Sequence, residues 1–220
     1  MQQILIVSAT LEEVAPFLNH FIHAFDPHET LFQFESKGVE CTVLITGVGM
    51  VETAYALARL SYQSFDAIFN AGIAGSFNKH IAIGDCVLVM RDELAEMGAE
   101  DGDAFICYAD MQLGGSNSFH AKYADQFHVL NGLTKVKGIT VNTVHGNEAS
   151  IAKAIALFKA DTESMEGAAF YRAAIPMAPI VLQIRAISNA VEKRDRSKWQ
   201  IPLAIQQLNK LLIQLLAEIT

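Results

Sequence analysis

Two carboxylates and one amide are the side chains best placed to do chemistry. Glu166 stands in Glu163-Ser-Met-Glu-Gly-Ala-Ala-Phe170, flanked by Met165 and by Gly167, Ala168 and Ala169, where a solvated acid would be out of place. The small residues let a helix start close to another backbone, so the stretch predicts a carboxylate at the mouth of a helix. Asn189 closes Pro179-Ile-Val-Leu-Gln-Ile-Arg-Ala-Ile-Ser-Asn189, which is nearly all apolar until Arg185. It reads as a central strand delivering a polar Ser188-Asn189 pair to the sheet edge where α/β proteins bind ligands. Glu13 falls in the acid-friendly first turn of a helix over 11–18 with Thr10 as its N-cap; its ordinary reading is a solvated charge. Asn189 alone also fits an Asx turn, and His145, beside Gly146-Asn147, reads as a lone loop histidine with a structural part. Taken together, these groups describe a site for a small polar molecule.

The elements that must position them alternate. Ile4–Val7 reads as a buried strand, and Leu31–Phe34 and Val39–Ile45 as antiparallel strands joined at Lys37-Gly38. Strands follow at 67–70, 86–90 and 138–142, and helices at 51–62, 148–158 and 202–219. The last of these has apolar residues at 208, 211, 212, 215, 216 and 219, a helical period. Thr46-Gly-Val-Gly49 and Ala71-Gly-Ile-Ala-Gly-Ser76 read as glycine turns, and neither matches a dinucleotide fingerprint or a phosphate loop. Residues 91–135 carry no readable pattern. The expectation is one α/β domain over 1–220, a three-layer α/β/α sandwich around a mixed central sheet.

Composition narrows the partners. Hydrophobic residues make up 51% and charged residues 18%, which describes a well-buried globular chain, and a net charge of -8 without a long basic cluster argues against nucleic acid. No apolar stretch approaches the ~20 residues that span a bilayer. The N-terminus shows no signal-peptide pattern, and the expected location is cytoplasmic. Cys41, Cys86 and Cys107 lack metal-ligand spacing, and Cys41 and Cys86, within or beside strand-like runs, read as reduced packing residues. Neither a metal nor an organic cofactor is expected.

Met165-Glu166 with its following helix and Ile184-Arg-Ala-Ile-Ser188 resemble the nucleoside phosphorylase and nucleosidase family, within it the methylthioadenosine/S-adenosylhomocysteine nucleosidases. Asn70-Ala-Gly-Ile-Ala-Gly75, Thr46–Gly49 and Glu12-Glu13-Val14 extend the match over most of the chain. The stretches 93–102, 140–143, 163–170 and 188–204 are similar to those of the futalosine hydrolases. The resemblance implies a nucleoside phosphorylase-like fold, a small nucleoside as substrate and a homodimer or larger homo-oligomer. It implies that Glu13 activates water for attack at C1′, that Glu166 accepts from the ribose 2′ and 3′ hydroxyls, and that Met165 packs on the sugar. Ala74, Gly75, Thr143, Val144, Ser188 and Asn189 would border the purine. Adenine-specific relatives carry Asp where this chain has Asn189. An amide cannot protonate N7, but it can accept from N7–H and donate to a 6-oxo group, which matches hypoxanthine. The implied reaction is hydrolysis of futalosine to hypoxanthine and dehypoxanthinylfutalosine in menaquinone biosynthesis, the N7 proton coming from solvent. Arg194 or Arg196, before Trp199, would hold the carboxyphenyl group, with aromatics of 91–128 beside the ring. Asn70 and Ile73, where relatives carry Arg and polar residues, weaken a phosphate site. A nucleosidase or phosphorylase for inosine or methylthioadenosine, or a non-catalytic purine-binding domain, stands as the alternative.

Overall fold

A computed structural model of the protein describes residues 1–122 and 127–220. The chain runs β1 (Gln2–Ser8), α1 (Leu11–Phe21), β2 (Leu31–Ser36), β3 (Val39–Ile45), α2 (Met50–Ala58), β4 (Ala67–Ser76), β5 (Cys86–Leu94), β6 (Gly98–Asp101) and β7 (Ala104–Cys107). It continues through β8 (Ser118–His120), α3 (His128–Asn131), β9 (Thr134–Thr140), α4 (Glu148–Phe158), β10 (Thr162–Ser164), α5 (Gly167–Ala174), β11 (Ile180–Ala190) and α6 (Ile201–Ile219). Among the described residues these form a nine-stranded mixed sheet ordered β10-β9-β5-β11-β4-β1-β3-β2, with β8 on β5 and a separate β6-β7 hairpin.

Both faces of the sheet are apolar, because side chains alternate along each strand. Ile4, Ile6, Phe69, Leu182 and Ile184 face α1 and α6, packing with Phe17, Leu208, Leu212 and Leu215. Their neighbours Leu5, Val7, Ile68 and Val181 face α2 and α5, packing with Leu57, Phe170 and Tyr171. This is the expected three-layer sandwich. The 208–219 period buries one stripe of α6, which has Pro202 in its first turn, where a missing N–H is harmless. One edge curls: β10 pairs with β9 and also, antiparallel, with β4, so β4, β11, β5, β9 and β10 close a ring.

Three sequence readings change. Ala71–Ser76 is not a turn but the second half of β4. Its glycine is there because side chains crowd the strand: a Cβ on Gly72 would lie 2.1 Å from Arg185 Nη1 and 3.0 Å from Glu13 Oε1. Gly167 does let α5 start in a tight space, but against side chains rather than backbone, since its Cβ would meet Asp92 Oδ2 at 2.1 Å and Gln183 Oε1 at 2.3 Å. The described residues of 91–135 also hold more regular structure than the sequence suggests, supplying the end of β5, the hairpin, β8, α3 and the start of β9.

Helix α1, which carries Glu13, has Pro16 in its interior. The buried Asn209 carboxamide of α6 donates to the Glu13 carbonyl at 2.8 Å and accepts from the Phe17 N–H at 2.8 Å. Those are the two groups an unbroken helix would pair with each other. Asn209 therefore locks the register of α1 on α6. Asn209→Ala, by stripping two buried backbone groups of their partner, is expected to lower unfolding free energy by about 2–4 kcal/mol. Denaturant titration reads this out, and a change below 1 kcal/mol would show that α1 holds its place without Asn209.

Candidate active site

Beyond the C-terminal ends of β1, β4 and β11, where open α/β sheets bind ligands, lies a cavity of about 380 Å³. Its carboxylate end is built around a cation. Arg185, in the middle of β11, is 1% exposed. Its Nη2 donates to Asn70 Oδ1 at 2.5 Å, its Nε donates to Gln183 Oε1 at 2.9 Å, and its Nη2 lies 3.7 Å from Glu166 Oε2. Gln183 donates in turn to Asp92 at 2.9 Å, Thr140 donates to Asp92 at 2.7 Å, and the Thr140 hydroxyl accepts from the Ala168 N–H at 2.7 Å. The first turn of α5, and with it Glu166 at its N-cap, is thereby tied to the buried arginine. Burial pushes the Asp92 carboxyl up to about 6 against the pull of its Gln183 and Thr140 hydrogen bonds.

Glu13 is 7% exposed, not solvated. Its Oε2 accepts from the Thr10 N–H at 3.0 Å, the Thr10 hydroxyl at 3.1 Å and the Ser8 hydroxyl at 3.3 Å. Its Oε1 accepts from the Ile73 N–H at 2.9 Å, which makes it the less occupied oxygen. Burial raises the Glu13 pKa; the Ile73 N–H and the Arg185 charge oppose this, and the Glu166 charge adds to it. Glu166 Oε1 accepts from the Gly49 N–H at 3.0 Å and Oε2 from the Met165 N–H at 3.3 Å, so each oxygen keeps a lone pair for a ligand hydroxyl.

The other end is an amide. Strand β11 shifts register against β4 between Ile187 and Asn189. Adjacent strand residues normally face opposite sides, yet Ser188 and Asn189 both line the cavity, because the bulge re-aims them. The Asn189 amide is oriented by its neighbours: Nδ2 donates to the Ala190 carbonyl at 2.9 Å and Oδ1 accepts from the Ser188 hydroxyl at 2.8 Å. A carbonyl can only accept, so this fixes which amide atom points which way and leaves one donor and one acceptor for a ligand.

Among the residues the sequence singled out, Glu13, Met165 and Glu166 meet at one end of the cavity, and Ala74, Gly75, Val144, Ser188 and Asn189 line the rest. Arg194 and Trp199 form a rim, the guanidinium 5.2 Å from the ring centroid. Thr143 is not brought in: it is exposed, and its N–H bonds Glu96 at 3.3 Å. Arg196 is exposed outside the lining, 5.8 Å from the Trp199 centroid. No described residue of 91–128 lines the cavity, and Tyr123, an aromatic of that stretch, falls outside the described residues. Sequence reasoning missed the part of Arg185, whose signal was a charge inside an apolar strand. It also missed Glu163, which is 5% exposed and pairs with His145 Nδ1 at 2.6 Å. Asn70 does not face a ligand; it holds Arg185 and donates to the Val7 carbonyl at 3.0 Å. Among the described residues no group of three or more His, Cys, Asp and Glu side chains could hold a metal ion, and no helix is long and apolar enough to cross a membrane.

Two outcomes follow from this geometry. Gly72→Ala is expected to reduce turnover by about a hundredfold or more by displacing Arg185 and Glu13 together; steady-state kinetics on the folded variant check it, and near-wild-type kcat would mean the crowding is harmless. A base that must be ionised, and whose proton is held tighter by burial, loses activity on acidification with an inflection above 4.5, its ordinary value. The pH profile of kcat/KM reads that inflection, and an acid limb at 4.5 or below would remove Glu13 from the role of base.

The description "Phosphorylase superfamily" belongs to a family model that matches residues 3–218. A futalosine hydrolase of Thermus thermophilus is 31% identical over 97% of this chain and 95% of its own. Among solved structures, a 5′-methylthioadenosine/S-adenosylhomocysteine nucleosidase of Helicobacter pylori superposes with TM-score 0.84 at 16% identity, covering 99% of both chains. A futalosine hydrolase of the same organism gives 0.80 at 17%, covering 99% of this chain and 98% of that one. At those identities the two structures speak for the fold alone. With its family model matched almost end to end and a relative above 30% identity over nearly its whole length, this chain belongs to the phosphorylase superfamily.

Proposed function

We propose that the protein hydrolyses the N-glycosidic bond of futalosine, giving hypoxanthine and dehypoxanthinylfutalosine in menaquinone biosynthesis. The observation that carries this is the fixed amide of Asn189. Its remaining N–H donates to a 6-oxo group and its remaining lone pair accepts from N7–H, whereas a 6-amino group would meet the amide donor with another donor. A site built for such bonds rejects the mismatched base strongly. The futalosine hydrolase of Thermus thermophilus supports the same reading.

Breaking C1′–N9 develops positive charge on the ribose and negative charge on the base. Glu166, at the mouth of α5, accepts from the vicinal hydroxyls and its charge favours the oxocarbenium-like sugar. Glu13 Oε1 takes a proton from the attacking water. Two fixed carboxylates at this end repel a phosphate dianion, and Arg185 is already committed to Asn70, Gln183 and Glu166, which favours water as the nucleophile. At the rim, Arg194 and Trp199 suit an aromatic carboxylate, and Arg196 braces the indole from outside the lining. The exposed Val51 and Tyr55 of α2 support a homo-oligomer, and the free thiols of Cys41, Cys86 and Cys107 support the reducing cytoplasm as its setting.

Incubation with futalosine, aminofutalosine, inosine and methylthioadenosine, followed by chromatography of the released base, tests the reading. Hypoxanthine should appear from futalosine without phosphate, faster than any base from the other three. Asn189→Asp should move preference toward the 6-amino substrates by tenfold or more, an effect of about 1.4 kcal/mol. Preferential cleavage of methylthioadenosine by the wild type, or an unchanged ratio in the variant, would refute the base-recognition argument. Glu13→Gln should keep binding and lose about 10²–10⁴-fold in kcat.

A further inference from the structure

We propose that His145, held by Glu163, is the acid that protonates the departing purine, the step the Asn189 amide cannot perform. The inference rests on the nucleosidase reading and adds a residue to it. Position comes first. Gly75 of β4 pairs with Asn189 of β11 on one side and with Glu163 of β10 on the other. The amide and the imidazole–carboxylate pair therefore flank the same piece of backbone, and all of them line the cavity.

The pair is built rather than incidental. Glu163 Oε1 accepts from the His145 N–H at 3.1 Å, while Oε2 lies 2.6 Å from Nδ1. A buried carboxylate needs a partner charge. With Nδ1–H committed to it, Nε2 is the nitrogen left to carry a transferable proton. Other titratable groups on the lining suit the role less: Glu13 and Glu166 act as carboxylates, Glu12 is exposed, Glu163 turns both oxygens to His145, and the Arg194 guanidinium does not release a proton. The charges facing His145 are Glu163 on β10, Arg194, whose N–H donates to the Gly146 carbonyl at 3.2 Å, and Glu96, Glu100 and Lys153 across the adjoining groove.

In the step itself, the C1′–N9 bond breaks and its electron pair stays with the purine. The Nε2 proton passes to N7, directly or across one water, leaving a neutral imidazole bonded to Glu163. The water oxygen adds to C1′ and its proton goes to Glu13. Solvent then returns a proton to His145 and removes one from Glu13. Asn189 Oδ1 accepts the new N7–H.

The test is the pH profile of futalosine hydrolysis for wild type, His145→Gln and Glu163→Gln, with thermal melts to verify folding. The wild type should lose kcat on an alkaline limb. His145→Gln should lower kcat about a hundredfold with KM within about threefold and abolish that limb. Glu163→Gln, which keeps an acceptor but removes the counter-charge, should move the limb to lower pH, and it carries the test alone if His145→Gln does not fold. An active wild type with no alkaline limb, a folded His145→Gln with unchanged kcat and limb, or a Glu163→Gln limb that does not move, overturns this inference while leaving the nucleosidase reading intact. A wild type that releases no base from any purine nucleoside overturns both.

Discussion

The Arg185 guanidinium sits inside a sheet, on a chain of net charge -8, and two carboxylates of the cavity, Glu13 and Glu166, are arranged with respect to it. A buried cation is tolerated only when its donors and its charge are met. Asn70 and Gln183 meet the donors, Glu166 and Glu13 meet the charge, and Asp92 and Thr140 carry the same network to the start of α5. Gly72 is a glycine because the guanidinium occupies the space above it. The network fixes two acids close together that would otherwise drive each other toward protonation, which is the condition for one to take a proton while the other stabilises positive charge.

Strand β4 then acts as a ruler. Gly72 and Ile73 mark the carboxylate end, and Gly75 marks the end where Asn189 and the His145–Glu163 pair converge. Three residues of extended chain span about 10 Å, room for a sugar at one end and a bicyclic base at the other. The framework is common to solved relatives with different substrates: a methylthioadenosine/S-adenosylhomocysteine nucleosidase and a futalosine hydrolase match it about equally. Fold does not choose the substrate. In this chain the choice falls to local features, a bulge that presents Ser188 and Asn189 side by side and an Ala190 carbonyl that sets the amide.

The legible features were those whose cause is local in sequence. Thr10 before an acidic first turn, the apolar period of α6 and the small residues after Glu166 each correspond to an element in the expected place. Ala71–Ser76 misled because glycine-rich sequence usually signals a turn; here Gly72 answers to Arg185 and Glu13 and Gly75 to Val191 and Asn189, all distant in sequence. The buried state of Glu13 was equally invisible, since it depends on Ser8, Ile73 and the Asn209 clamp. His145 looked solitary because its partner is 18 residues on and pairs with it only once β10 closes the ring of strands. In residues 91–135, short, partly exposed strands bury too little to leave a period in the sequence.

Recognition of a 6-oxopurine by the Asn189 amide can be tested by equilibrium binding, without turnover. Calorimetric titration of the wild-type protein with hypoxanthine and with adenine compares the two bases directly. Hypoxanthine is expected to bind tighter by at least tenfold, about 1.4 kcal/mol; adenine binding as tightly as hypoxanthine, or more tightly, would rule out recognition of the 6-oxo group by Asn189.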